Sequence, residues 1–263
     1  MRVLFWGTPE FAAPALRALV GEGFDVVGVV TQPDRAQKRS RSTLVPSPVK
    51  RIAVEEGIPV LQPERPTAEL ELPAETVVVA AYGLLIPEGL LERGLWLNVH
   101  PSLLPRWRGA APVERALLAG DPETGVTIHE TVKELDAGPV AAQRAFPLTP
   151  EDDAGTVFAR AAEVAVALLD EVLPEPTFTP QAGEATYAAK IEAADRVLDL
   201  AKPEESLNRI RALSPHIGAR AELEGRPVTI WRARLEDGAL VPLEVQPEGG
   251  TRMSYEAWRR GLR

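Results

Sequence analysis

Apolar residues follow two rhythms along this chain. Unbroken runs at Arg2 to Trp6, Asp25 to Thr31 and Thr76 to Ala81 read as strands covered on both faces. Between the first two, Phe11, Ala15, Leu16, Leu19 and Val20 recur at helical spacing, and Gly21 and Gly23 end the pattern. Thr8 as N-cap and Pro9 at the first helical position are the expected start of that helix. Strand, helix and strand within about thirty residues predict a parallel βαβ unit. Ser47 and Pro48 open a second helix that runs to about Glu56. Ile58 to Leu61 reads as a short strand and Pro66 to Leu72 as a short helix.

Leu95 to Val99 is the next expected strand, and its end delivers Asn98 and His100. A proline-punctuated loop follows to Pro112, then a helix to Leu118. Gly125 to Thr131 and Val140 to Phe146 read as two strands joined by the polar turn Glu134 to Pro139. After Thr149 to Asp152, which has N-cap chemistry, Val157, Ala161, Val164, Leu168 and Val172 mark the longest helix. The expected class is α/β, with a doubly wound, mostly parallel Rossmann-like sheet over residues 1–173. Pro174 to Pro180 begins a linker over 174–188. Residues 189–263 predict one helix, Pro203 to Leu213, and strands at Ala219 to Leu223, Pro227 to Leu235 and Leu240 to Val245. That is a small β-rich module.

Composition narrows the chemistry. The 263 residues are 45% apolar, with no cysteine, so disulfides, thiolate catalysis and cysteine-ligated metals are excluded. No apolar run reaches membrane-spanning length and no signal peptide is recognised, so a cytoplasmic chain, without membrane partners and monomeric, is expected. Few asparagines, no cysteine and 25 prolines hint at a thermophilic source. Net charge is −9, which argues against indiscriminate nucleic-acid binding. One stretch departs from that balance. Residues 33–51 contain Arg35, Lys38, Arg39 and Arg41 and no large apolar anchor in their basic part. It reads either as a solvated loop or as a flexible arm for a phosphate backbone.

Polar residues are scarce where the fifth strand ends, which makes Asn98 and His100 conspicuous. The chain has only two asparagines and three histidines. At i and i+2 both side chains project from one face of an extended segment. An amide can donate to a developing oxyanion and an imidazole can move protons. Asp136, in a glycine-bounded turn, is the candidate partner. The plainer alternatives stay open: a histidine bonded to a backbone carbonyl, and an aspartate that only forms a turn. His129 reads as satisfied within its strand and His216 as a turn residue. No H-x-x-x-H or H-E-x-x-H spacing exists, so no metal is expected, and Ser102 lacks the context of a hydrolase nucleophile.

Asn98-Val99-His100-Pro101-Ser102-Leu103-Leu104-Pro105, with Leu135-Asp136-Ala137-Gly138, resembles the signature of the folate-dependent formyltransferases. The resemblance implies a one-carbon transferase in which Asn98, His100 and Asp136 are catalytic. It implies a 10-formyltetrahydrofolate donor held by Tyr82, Gly83, Leu84, Leu85 and Ile86 and by Ser102, Leu103, Leu104 and Pro105. Phe5 to Ala13, Thr31 to Arg35, Pro46 to Lys50 and Pro105 to Pro112 resemble the branch that formylates methionyl initiator tRNA for translation initiation. The alternative acceptor is an amino sugar or other small amine. On this resemblance Arg35, Lys38, Arg39 and Arg41 contact tRNA, and the second domain is an OB-like fold. Its strands are fewer than usual for the family, so a complete barrel is in doubt. Arg209, Arg211, Arg232 and Arg234 are its candidate basic face.

Overall fold

A computed structural model describes residues 1–37 and 40–262, without the side chains of Gln37 and residues 40–43. In chain order the first elements are β1 (Arg2–Gly7), α1 (Ala12–Gly21), β2 (Asp25–Val30), β3 (Arg35–Gln37), β4 (Ser40–Val45) and α2 (Pro48–Glu55). Next come β5 (Val60–Leu61), β6 (Thr76–Ala80), α3 (Glu88–Leu91), β7 (Leu95–His100), β8 (Arg108–Gly109) and α4 (Pro112–Ala119). β9 (Glu123–Glu130), β10 (Val140–Pro147), α5 (Ala154–Val172) and β11 (Tyr187–Ala188) follow. The chain closes with α6 (Pro203–Leu213), β12 (Ala219–Leu223), β13 (Arg226–Glu236), β14 (Ala239–Pro247), β15 (Met253–Ser254) and α7 (Tyr255–Arg260).

The main sheet has seven strands in the order β10-β9-β7-β6-β1-β2-β5. From β7 to β5 the pairings are parallel, while β9 runs antiparallel to β7. The apolar runs form these strands because both faces are covered: Val3 to Trp6 and Val77 to Ala80 are buried. Trp6 anchors one face, packing edge-on against Tyr82 at 4.9 Å and Trp96 at 5.0 Å. The Trp96 indole N–H donates to the Leu90 carbonyl at 2.9 Å, which satisfies its buried polar atom.

The described residues fall into two compact units. One comprises residues 1–108, 125–145 and 159–186, and the other residues 109–124, 146–158 and 187–263. In the second, β12-β13-β14-β15 form an open four-stranded sheet, antiparallel throughout. Its core is Ile210, Leu213, Val228, Ile230, Val245 and Trp258. β12 and β15 are its outer strands and do not pair with each other, so the four strands make a sheet and not a closed barrel.

Several sequence expectations need correction. Thr8 does not cap α1, which begins at Ala12 without a side-chain cap. Its hydroxyl donates instead to the Tyr82 carbonyl at 3.1 Å, a tertiary contact invisible in local pattern. Pro66 to Leu72 forms a turn and no helix, because its two large apolar residues, Leu70 and Leu72, stand two apart and share no helical face. The basic stretch contains a hairpin, β3–β4, pairing Arg35 with Val45 and Ala36 with Leu44. The β-branched Thr43 and Val45 favour that extended form. Lys38 and Arg39 lie outside the described residues, as does the side chain of Arg41. Strand β15 and helix α7 were not expected, although Ser254 caps α7 by accepting from the Ala257 N–H at 3.2 Å. Of the four candidate arginines, Arg211 and Arg234 are engaged within the structure, while Arg232 is exposed. Arg211 turns onto the carbonyls of Asp152 and Thr149, and Arg234 pairs with Glu236 at 2.8 Å.

Ser47 does cap α2, accepting from the Lys50 N–H at 3.0 Å ahead of Pro48. The stretch expected as a linker is tied down along its length. Thr179 and Val140 exchange backbone bonds at 2.8 and 2.9 Å, and the Thr186 hydroxyl accepts from the Trp107 N–H at 2.9 Å.

Candidate active site

β7 alternates its side chains, so Leu97 and Val99 enter the core while Asn98 and His100 share the other face. The antiparallel pairing with β9 sets Asn98 opposite His129 and His100 opposite Thr127. The chain then turns back through Asp136, whose φ of 47° lies in the left-handed region. Gly138 permits the return: a Cβ there would lie 1.8 Å from the Glu130 carbonyl oxygen. The Glu130 N–H in turn donates to the Pro139 carbonyl at 3.0 Å, closing the turn onto the strand.

This geometry brings the three expected residues together and adds a fourth. The Asn98 amide nitrogen lies 3.3 Å from Asp136 Oδ1 and 3.1 Å from His129 Nε2. His100 Nδ1 lies 3.6 Å from Asp136 Oδ2, and His129 Nε2 lies 3.6 Å from Asp136 Oδ1. All are shielded: the His100 side chain is 5% exposed, His129 1% and Asp136 10%.

Backbone carbonyls settle which ring nitrogens carry protons. His100 Nε2 is 2.9 Å from the Trp107 carbonyl oxygen, which can only accept, so Nε2 holds a hydrogen. The nitrogen facing Asp136 is therefore the one left to take or give a proton. His129 Nδ1 donates to the Glu130 carbonyl at 2.8 Å, so its Nε2 accepts from Asn98. Burial pushes His100 below its usual value of 6.5, against the upward pull of the Asp136 carboxylate. A neutral His100 at neutral pH is the consequence.

The loop that supplies the Trp107 carbonyl is held from inside. The Ser102 hydroxyl donates to the Arg106 carbonyl at 2.6 Å, and Thr127 bridges the Ser102 carbonyl at 2.6 Å and the Leu104 N–H at 3.1 Å. Ser102 and Leu104 are buried and Leu103 half-buried, so the hydroxyl of Ser102 serves the loop. The apolar loop after β6 presents a different surface. Tyr82 is buried, its hydroxyl pushed up to about 12 by burial, and Gly83 adopts a φ of 80°. Leu85 is 88% exposed, and Leu135 on the 131–137 loop is 64% exposed. Lys133 and Glu88 pair at 2.8 Å and tie these two loops together. Large apolar side chains held open beside a polar cluster suit a flat heterocycle. Among the described residues no cluster of acids and histidines could hold a metal ion.

Two contributors were missed in sequence. The sequence reads His129 as satisfied within its strand; its place opposite Asn98 follows only from the pairing of β9 with β7. Gln181, within the expected linker, donates to the carbonyls of Asp136 and Gly138 at 2.8 Å each. Its own oxygen accepts from Arg108 at 2.6 Å. It fixes the Asp136 turn, and nothing in the local pattern marks it. His216 is exposed in a turn, apart from this cluster.

Known proteins share this arrangement of strands and loops. The chain is 40% identical to the methionyl-tRNA formyltransferase of Dechloromonas aromatica over 295 aligned positions, covering 99% of this chain and 96% of that protein. The solved methionyl-tRNA formyltransferase of Clostridium thermocellum superimposes with a TM-score of 0.68 at 18% identity, covering 94% of this chain and 98% of that one. The sugar 3N-formyltransferase WlaRD, solved with dTDP and 5-N-formyl-THF, gives 0.69 at 17% identity, covering 90% of this chain and 87% of that one. At such identities the two structures speak for the fold alone. The formyl transferase family profile matches residues 1–173, and with that match and the 40% relative the chain belongs to the formyl transferase family.

Proposed function

We propose that this enzyme transfers a formyl group from 10-formyltetrahydrofolate to the α-amino group of methionyl initiator tRNA, with Asn98, His100 and Asp136 as its catalytic residues. The observation that carries the reading is their meeting at the carboxyl end of a central strand, in a shielded pocket of fixed tautomers. The acceptor is favoured by the near-full-length relative, since the fold neighbours include a sugar enzyme as well.

Each residue has one job. The folate donor supplies the formyl carbon, and the exposed leucines at 85 and 135, with Gly83, Leu84 and Ile86, line the face that receives its ring, with buried Tyr82 supporting it from the core. Asn98 keeps its amide hydrogens, not its oxygen, toward Asp136 because His129 Nε2 accepts one of them. The 3.3 Å bond to Asp136 is the longer of the two, so it is the one that a developing oxyanion takes over. His100 accepts the amine proton at Nδ1 as the amine nitrogen bonds to the formyl carbon, and gives it to the departing folate nitrogen as the bond from that nitrogen to the formyl carbon breaks. The imidazolium formed between these steps donates from Nε2 to the Trp107 carbonyl and has the Asp136 carboxylate 3.6 Å from Nδ1 to balance its charge. Arg35, Lys38, Arg39 and Arg41 follow the phosphates of the acceptor, and residues 189–263 form a small tRNA-binding domain.

The decisive experiment offers the protein a formylfolate donor with charged initiator tRNA and follows label onto methionine. Transfer to the tRNA is expected. Transfer to a free amino sugar with none to tRNA overturns the choice of acceptor.

A further inference from the structure

Both legs of the β3–β4 hairpin leave the sheet through one half-buried polar cluster. On the incoming leg, Asp34 Oδ2 accepts from Lys50 Nζ at 2.6 Å and its Oδ1 accepts from Gln62 Nε2 at 2.8 Å. Lys50 also donates to Gln62 Oε1 at 2.7 Å, and Gln62 Nε2 reaches the Gln32 carbonyl at 2.9 Å. Lys50 sits on α2, just past the outgoing leg, and the hydroxyls of Thr31 and Ser47 meet across the two legs at 2.8 Å. Gln62, just after β5, is the third corner. The Asp34–Lys50 pair is shielded, with side chains 20% and 25% exposed. Three side chains thus close a ring of charge-assisted bonds, stronger than neutral ones and rigid in direction.

Asp34, Lys50 and Gln62 bond to one another and to the Gln32 carbonyl and, among the described residues, make no bond to the Asp136 turn, while Gln32 separately donates through its side chain to the Tyr82 carbonyl at 2.7 Å. The cluster fixes where the basic hairpin departs from the sheet. We infer that Asp34 and Lys50, clamped by Gln62, are positioning residues that aim the basic hairpin at a phosphate-bearing acceptor and so govern use of tRNA and not of the donor. This rests on the proposed reaction. The physical reason is leverage. A hairpin held at its root by one ring swings as a unit when the ring opens, and displacement by about 1 Å can cost about a hundredfold in rate.

The test uses the full chain with Asp34→Ala, Lys50→Met and Asp34→Glu. Three quantities are measured: kcat and KM with methionyl initiator tRNA, tRNA affinity by filter binding, and 5-formyltetrahydrofolate affinity by tryptophan fluorescence. Asp34→Ala and Lys50→Met should lower kcat/KM for tRNA by about ten- to a hundredfold, mostly through KM. They should weaken tRNA binding in step and leave folate affinity within about twofold. Asp34→Glu should recover most of the loss. Parental tRNA kinetics, or an equal loss of folate affinity, overturns the inference. If the parent binds tRNA without formylating it, the reaction falls while the binding ratio still decides the clamp; if the parent binds no tRNA, both fall.

Discussion

Two aspartates at the ligand edge of one sheet are surrounded in opposite ways. Asp34 is gripped by Lys50 at 2.6 Å and Gln62 at 2.8 Å, and these bonds hold its carboxyl below the usual carboxylate range. Asp136 meets Asn98 and two histidines at 3.3 to 3.6 Å in a far drier pocket. Short, saturated bonds make a fixed support. Longer contacts between groups whose outer nitrogens are pinned by carbonyls leave room for a proton to move and for a reacting oxygen to enter. With the roles proposed above, the difference separates aiming from chemistry, and substitutions should separate them too.

The largest effect belongs to the chemical side. His100→Ala should lower turnover by about 10²- to 10⁴-fold on any acceptor while tRNA affinity stays within about twofold. Single-turnover rates and filter binding check this, and a loss confined to KM would merge the two regions. Gly138→Ala comes next. Its Cβ meets the Glu130 carbonyl, the acceptor for His129, so the turn must move. Denaturant unfolding should show about 1–3 kcal/mol of destabilisation, together with most of the activity lost.

His129→Ala frees the Asn98 amide to rotate and should cost about tenfold in kcat, with KM for tRNA unchanged. A parental kcat would reduce His129 to packing. The pH profile sharpens the same point. With His100 lowered by burial, the acid limb of kcat/KM should lie below 6.5. Because the unfolded chain binds that proton more readily, His100 should also make stability fall as pH drops below 6.5, toward its lowered folded value. Replacing Asp136 by Asn removes the upward pull, so the His100 imidazole, followed by NMR, should titrate lower still. The smallest effect is Gln181→Ala, a few-fold in kcat, since the Asp136 turn keeps its bonds to β9.

Legibility followed the range of the forces involved. Helix α2 was readable because Ser47 and Pro48 act within one turn, and α6 runs over the expected Pro203 to Leu213. Asn98 and His100 were readable as a pair because a strand alternates its faces. The hairpin at 35–45 was not, since its pairing closes over residues whose polarity resembles that of a loop. Thr8 misled because a threonine before proline looks like a cap, whereas the Tyr82 carbonyl 74 residues away claimed its hydroxyl.

The buried strands, the capped start of α2 and the placing of Asn98 and His100 on one strand face were determined by the sequence alone, because periodicity and capping act locally. Only the tertiary structure decided that His129 faces Asn98 across an antiparallel pair, and that Gln181 of the expected linker grips the Asp136 turn. It alone decided that each ring nitrogen away from the reaction is held by a backbone carbonyl. Those outcomes depend on which strand lies beside which and where a carbonyl points, and packing distant segments is what sets both.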